Sequence, residues 1–426
     1  MFTLLRIRDF GLLWLAGLIS FAGDAALLIA LPLHVYQLTD STLATAIALA
    51  ARFVPRVLFA SVAGVFVDRW DRKRTMVLTD LSRGAILLPI LIAPDTLAVV
   101  YTVMIFHGAI GLFFAPAEGA LLPKLVGQEH LVAANALNSL NNSFGMLIGP
   151  VAGAFLYSQG GIGGIVIVDS ATYLLSALLI SLIVADARPE RDPEAPSGGA
   201  AWTRMASDLR AGIGVVQRNL SLRVLFVSYI LAGIAEGVFL TLGLAPLVLD
   251  VLGGTSAQVG WVASAQAIGG FVAALVVVRL GHRMTKRWLL GGGFIGVGLA
   301  DLSTANAHRV AGTGTAAVGV AMGSMVLAGP PSVAGGAGMQ SIIQEQTTDA
   351  YRGRVFGAFS STTSIAMLVG FAAGGFLGDT VGLVPVLSAA ALIRVVGGVL
   401  VFALLPRHEH AQAMSVVGET PPQPLP

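Results

Sequence analysis

Apolar runs, each long enough to form a membrane-crossing helix and separated by short polar connections, repeat along almost the whole chain. About 20 predominantly apolar residues span the hydrocarbon core of a bilayer as a helix. Twelve such segments are predicted, near 11–37, 43–67, 76–93, 97–120, 132–157, 163–184, 222–249, 256–280, 288–306, 310–337, 355–378 and 382–405. The one long polar interruption runs from Asp186 to Asn219. It holds Pro189, Pro193, Pro196, Gly198 and Gly199, followed by an expected amphipathic helix from Trp202. Such a stretch reads as a linker. The pattern therefore predicts an all-α polytopic membrane protein, with six-helix halves over 1–185 and 221–406. Residues 186–220 form the linker and 407–426 a disordered tail.

Composition agrees. Apolar residues make up 55% and charged residues 11% of the chain, against about 25% charged in a soluble domain. The 52 glycines suit helices that pack closely in lipid. Without cysteine there is no disulfide, thiolate metal site or cysteine nucleophile. Met1–Phe10 leads straight into an apolar run without a small-residue cleavage site, so the first span is expected to be retained.

The bases orient the chain. Arg6, Arg8, the cluster from Arg69 to Arg74, Lys124, the linker arginines, Arg279 to Arg287, Arg352, Arg354 and Arg407 fall on one side of the predicted bundle. The connections near Asp40, Asp95, Gly161, Asp250 and Asp379 hold no Lys or Arg, and only Arg309 lies on that side. Basic loops stay cytoplasmic, so both termini are expected in the cytoplasm. The cations sit beside spans, which argues against a nucleic-acid partner.

The chain also repeats itself. Gly149-Pro150-Val151-Ala152-Gly153 corresponds to Gly370-Phe371-Ala372-Ala373-Gly374 at an offset of 221, and Gly23 with Pro32 to Gly237 with Pro246 at 214. Halves with the same topology are parallel repeats. The connection after the second span reads Gly64-Val65-Phe66-Val67-Asp68-Arg69-Trp70-Asp71-Arg72-Lys73-Arg74. Its counterpart, ending Lys286-Arg287, keeps the positive charge and lacks an acid at the Asp68 position.

That loop resembles the G-x-x-x-D-R-x-x-[RK] signature of the major facilitator superfamily. The resemblance extends over almost the whole chain and implies two six-helix halves rocking about a central site. It also implies a conformational latch made of Gly64, Asp68, Arg69, Arg72, Lys73 and Arg74. The run Gly145, Gly149, Pro150 and Gly153 is similar to the helix motif of exporters in that superfamily. Leu122-Pro123, Ala133 to Ser139, Asp80 with Arg83, and Tyr351 to Gly357 resemble the macrolide-efflux and enterobactin-exporter branch.

Ionisable residues inside spans are the candidates for function, because a charge in lipid is costly without a role or a partner. Asp24 in the first span and Glu236 in the seventh lie near the centre of the two repeats. At the 214 offset, Glu236 corresponds to Ala22. The two carboxylates are expected either to load and release protons or recognise a cation, or simply to pair with Arg52, Arg56 or Arg394. Asp80 and Arg83 read as a pair within one helix, Asp169 and Asp379 as carboxylates near span ends, and Glu118 as an interface position. Phe21, Phe239, Met146 and Gln266 are further candidates for substrate contact.

No catalytic constellation, metal site or P-loop is found, so neither enzyme activity nor a cofactor is expected, and a proton gradient is the expected energy source. The sequence points to efflux of a hydrophobic or amphipathic small molecule (drug, macrolide or siderophore-like) by a monomer in the cell membrane. An importer or lipid transporter of the same fold, or a sensor that transports nothing, stays open.

Overall fold

The computed structural model describes residues 2–67, 69–188, 210–280 and 284–406. Among the described residues the helices make up twelve spans. The first two are Arg8–Thr39 and Thr42–Val67. Arg72–Leu87 continues as Pro89–Ile92, and Leu97–Gly111 as Phe114–Val126. The fifth and sixth are the two arms of Leu131–Ser181, which fold apart at Gly161 (φ 58°, ψ −157°), a left-handed backbone that glycine adopts without strain. The seventh, Leu220–Leu242, is followed by a π-helical turn, Leu247–Val251. Ser256–Leu280, Lys286–Ala305, Thr315–Gln346, Asp349–Val381 and Leu383–Leu404 complete the second half. The tenth helix runs nine residues past its predicted end at 337, to Gln346, with Pro330 and Pro331 inside it.

Helix ends are closed by local chemistry. Asp71 accepts a hydrogen bond from the Arg74 amide (2.9 Å) and Asn219 from the Leu222 amide (3.1 Å), so each satisfies an otherwise unpaired N–H of the helix that follows. Within the first half the first span packs on the fifth, the third on the sixth and the second on the fourth. The second half repeats this, with the seventh on the eleventh, the ninth on the twelfth and the eighth on the tenth. The halves meet where the second span packs on the eleventh and the fifth on the eighth.

Glycines set these distances. A methyl at Gly149 would strike Ala25 and the Ala22 carbonyl, and one at Gly153 the Ala26 backbone, so the first and fifth helices touch backbone to backbone.

Hydrogen bonds between described residues of opposite halves all lie at the end carrying Asp40, Asp250 and Asp379. Tyr36 donates to Asp250, and Gln37 to Ser256 (2.9 Å). Asp379 accepts from the Thr42 amide (2.8 Å), the Thr42 hydroxyl (2.7 Å), the Leu43 amide (3.2 Å) and Ser41 Oγ (2.9 Å). A carboxylate of the second half thus caps a helix of the first.

Candidate functional site

Asp24 lies at the centre of a buried polar network in the first half. Arg52 of the second span reaches its Oδ1 at 2.7 Å, and Arg83 of the third span pairs with its Oδ2. His107 of the fourth span stands 3.9 Å from Oδ1 and shares a 3.0 Å hydrogen bond with the Tyr173 hydroxyl. The Arg83 guanidinium lies over the Tyr173 ring, 4.4 Å from its centroid. Five of the six spans of this half therefore converge on one carboxylate.

Two expectations are corrected here. Arg83 does not pair with Asp80 in its own helix; Asp80 is fully buried and accepts from Ser176 Oγ at 2.6 Å. Arg83 turns toward the first span, because a buried carboxylate there needs a second counter-charge. Asp169 is likewise no solvated span-end residue. It is 1% exposed, accepts from Thr172, and lies against Gly23, where any side chain would run into its carboxylate. Asp379, by contrast, does sit at a helix end. Glu118 accepts from Asn138 at 3.1 Å, which joins the fourth and fifth spans.

The second half has a smaller network. Arg394 of the twelfth span donates to Glu236 at 2.6 Å and stands 3.3 Å from Asp301 of the ninth. Arg394 and Asp301 are buried, whereas the Glu236 side chain is 45% exposed. Glu236 and Arg394 face a cavity of about 360 Å³, whose other walls include Arg56, Phe53, Tyr229 and Ser364. That volume lies within the usual range of small-molecule sites, about 300–1,000 Å³. Phe21, Phe239, Met146 and Gln266 do not line this cavity.

Packing corrects the register of the repeats. Gly145 meets Phe21, Gly149 meets Ala22 and Ala25, and Gly153 meets Ala26. In the second half Ala366 meets Gly233, Gly370 meets Ile234 and Gly237, and Gly374 meets Val238. The fifth and eleventh spans keep their offset of 221, but the first and seventh correspond at 212, not 214. Asp24 and Glu236 therefore hold the same position in the two repeats. The offset is 214 again by Asp250, so the two extra residues of the second half lie between Val238 and Asp250, the stretch that ends in the π-helical turn. There Tyr36 pairs with its own counterpart, Asp250, and Ala46 meeting Gly375 mirrors Gly260 meeting Ala154.

The same correspondence shows where the halves differ. Gly108 packs on the Arg52 carbonyl and Gly329 on the Gln266 carbonyl, so Gln266 stands where the first half has Arg52. Gly84 packs on Ser170 and Gly298 on Ala391, which aligns Tyr173 with Arg394. Both repeats put a guanidinium beside the carboxylate, but from different spans. Sequence reasoning missed Arg83, His107, Tyr173 and Asp301 as partners. Asp301, an acid in the middle of an apolar run, was the signal available.

The loop residues divide among several tasks. Lys73 Nζ donates to the Ile183 carbonyl (2.6 Å) and the Arg72 amide to the Ala187 carbonyl (3.2 Å), both within the first half. Arg69 and Arg74 border a separate groove. Gly64 lies in the second helix, and Asp68 lies outside the described residues. No hydrogen bond or ion pair joins Arg69, Arg72, Lys73 or Arg74 to a described residue of the second half. The exporter-type motif divides too: Gly145, Gly149 and Gly153 face the first span, whereas the Pro150 carbonyl lies against Gly260 of the other half.

Known proteins agree with this architecture. The family model described as Major Facilitator Superfamily matches residues 13–242 and again 225–425. Macrolide efflux protein A of Streptococcus pyogenes is 25% identical over 378 residues, covering 87% of this chain and 89% of that protein. The MFS-type transporter YfiS of Bacillus subtilis (strain 168) is 24% identical over 371 residues, covering 85% of each. Among solved structures, the nucleoside transporter NupG superposes with a TM-score of 0.73 at 12% identity, over 93% of this chain and all of that one. With two matched six-helix repeats, a carboxylate at the same position of each and a family match along nearly its full length, the chain belongs to the major facilitator superfamily of membrane transporters.

Proposed function

We propose that this transporter exports an amphipathic small molecule, of drug, macrolide or siderophore-like kind, in exchange for protons. The observation that carries the reading is Glu236, a half-exposed carboxylate on the wall of a cavity lined mainly by the second half, which shares Arg394 with buried Asp301. A proton on Glu236 removes one of the two charges competing for Arg394 and leaves the guanidinium to Asp301. Loading a proton therefore changes how the seventh, ninth and twelfth spans are tied together, which is what coupling requires. Asp24 holds the first, second and third spans through two arginines, so its charge fixes the geometry of the other half. The efflux direction and the substrate class are supported by the relatives that are macrolide efflux proteins.

Basic loops face the cytoplasm, so the end closed by Asp379 and Tyr36 faces outward, and both termini lie on the cytoplasmic side of the cell membrane. The form described is then the one closed to the outside. On switching, the outer contacts break and the Asp68–Arg74 loop takes over at the inner face.

The test is accumulation of fluorescent dyes and macrolides in efflux-deficient bacteria expressing the chain, with and without an uncoupler. Lower accumulation that the uncoupler abolishes is expected. Glu236→Gln is expected to remove the dependence on the gradient while substrate still binds. Transport by Glu236→Gln that remains fully uncoupler-sensitive would overturn the assignment.

A further inference from the structure

A second cavity, of about 560 Å³, shares no residue with the one beside Glu236 and lies between the loop after the second span and the third and fourth spans. Arg69 and Arg74 stand at its charged end, and Leu78, Ile110 and Phe113 form its apolar wall. Neither guanidinium has an ion-pair or hydrogen-bond partner among the described residues. Asp71 also lines the cavity, and its Oδ1 caps the third helix through the Arg74 amide, so two cations face one acid there. Trp70 stacks on Phe113 with ring centroids 5.7 Å apart and closes the side of the groove.

The third helix begins at Arg72, so the arginines sit at its mouth, where a membrane-spanning helix leaves the headgroup region. From there Leu78, Leu81, Leu88 and Ile92 point outward along one stripe, at 61%, 40%, 45% and 88% exposure. In a membrane protein a stripe of exposed leucines at this depth faces acyl chains. Paired cations at the interface, an aromatic wall beside them and an apolar track leading inward together match one ligand: a diacyl lipid with an anionic phosphate headgroup. A free phosphate would not use the apolar wall, and a neutral lipid would leave the excess positive charge of Arg69 and Arg74 over Asp71 unanswered.

We infer that this groove is a binding site for an anionic phospholipid, with the phosphate between Arg69 and Arg74 and one acyl chain against Leu78, Ile110 and Phe113. The site belongs to the first half alone and does not depend on the transported substrate. A lipid held there braces the loop that joins the second and third spans.

Native mass spectrometry of the purified full chain, with palmitoyl-oleoyl phosphatidylglycerol and phosphatidylcholine in turn, tests this. Each arginine near a membrane surface contributes roughly a fivefold preference for an anionic lipid, so phosphatidylglycerol should bind at least about tenfold more tightly. The double variant Arg69→Gln, Arg74→Gln should reduce that preference to within about twofold of phosphatidylcholine. Arg309→Gln, at the opposite end, should leave it unchanged. Should the double variant fail to fold, Leu78→Trp fills the groove with both arginines in place and is expected to lower phosphatidylglycerol binding by a similar factor. Equal retention of the two lipids by the unmodified chain, or a preference that survives both Leu78→Trp and the arginine changes, overturns the site. Inorganic phosphate that displaces the lipid completely at millimolar concentration would also overturn it, since the acyl contacts would then contribute nothing.

Discussion

Replacing Asp379 by alanine removes the largest group of hydrogen bonds between the halves. Its two oxygens satisfy the Thr42 and Leu43 amides at the start of the second helix and also hold the hydroxyls of Ser41 and Thr42. Ser41 Oγ satisfies the next amide, that of Ala44, at 3.2 Å. Asp379 is exposed, so four charge-assisted bonds at about 1.5–3 kcal/mol each would overstate its effect. The better guide is the loss of an N-cap carboxylate, about 0.5–2 kcal/mol.

This loss falls only on the form in which the halves touch at this end, so it shifts the balance between forms instead of lowering the stability of both. About 1.4 kcal/mol corresponds to a tenfold change in the ratio. The chain has no cysteine, so Asp95→Cys and Thr313→Cys, one on each half at this end, accept spin labels without background. Pulsed electron–electron resonance should show the longer-distance population rising about tenfold relative to the short one in Asp379→Ala. Asp379→Asn, which keeps one acceptor oxygen, should fall between. Tyr36–Asp250 and Gln37–Ser256 remain in both variants, so the short population should persist. Identical distance distributions with and without Asp379 would refute the argument that this carboxylate holds the end shut.

Arg394→Gln leaves Glu236 and Asp301 facing each other without a cation, and breaking a buried pair of this kind costs about 3–5 kcal/mol. Thermal unfolding in detergent should show a clear drop that Asp301→Asn partly restores. Gly260→Leu drives a side chain into the Pro150 carbonyl and Ala154, an overpacking cost of about 1–3 kcal/mol that falls on the fifth–eighth contact. Cross-linking between those two spans should weaken while the second–eleventh contact stays intact. Arg83→Lys keeps the charge near Asp24 but loses the guanidinium plane over Tyr173, so stability should fall by about 1 kcal/mol or more in the same unfolding assay.

The fold was legible because a bilayer imposes its own arithmetic. Twelve apolar runs of spanning length have few alternatives to twelve helices. The candidate site was legible in part. Asp24, Glu236, Arg52 and Arg394 stood out because charge in an apolar run is conspicuous, and the structure brings the first two to opposite sides of the repeat axis, each beside one of the arginines.

Which charge meets which was not legible. Arg83 lies one turn from Asp80 in sequence, yet it crosses to Asp24 on another helix, because pairing in a bundle follows inter-helix proximity and not spacing along one chain. The repeat offset showed the same limit. Identical glycines and prolines suggested 214 throughout, but the second half holds two extra residues between Val238 and Asp250, so only packing places Asp24 opposite Glu236. The sequence by itself determined the number of helices and the residues expensive enough to demand partners, since hydropathy acts residue by residue. The tertiary structure alone decided the partners, the register of the repeats and the end at which the halves are joined. Those depend on distances between helices that no local pattern encodes.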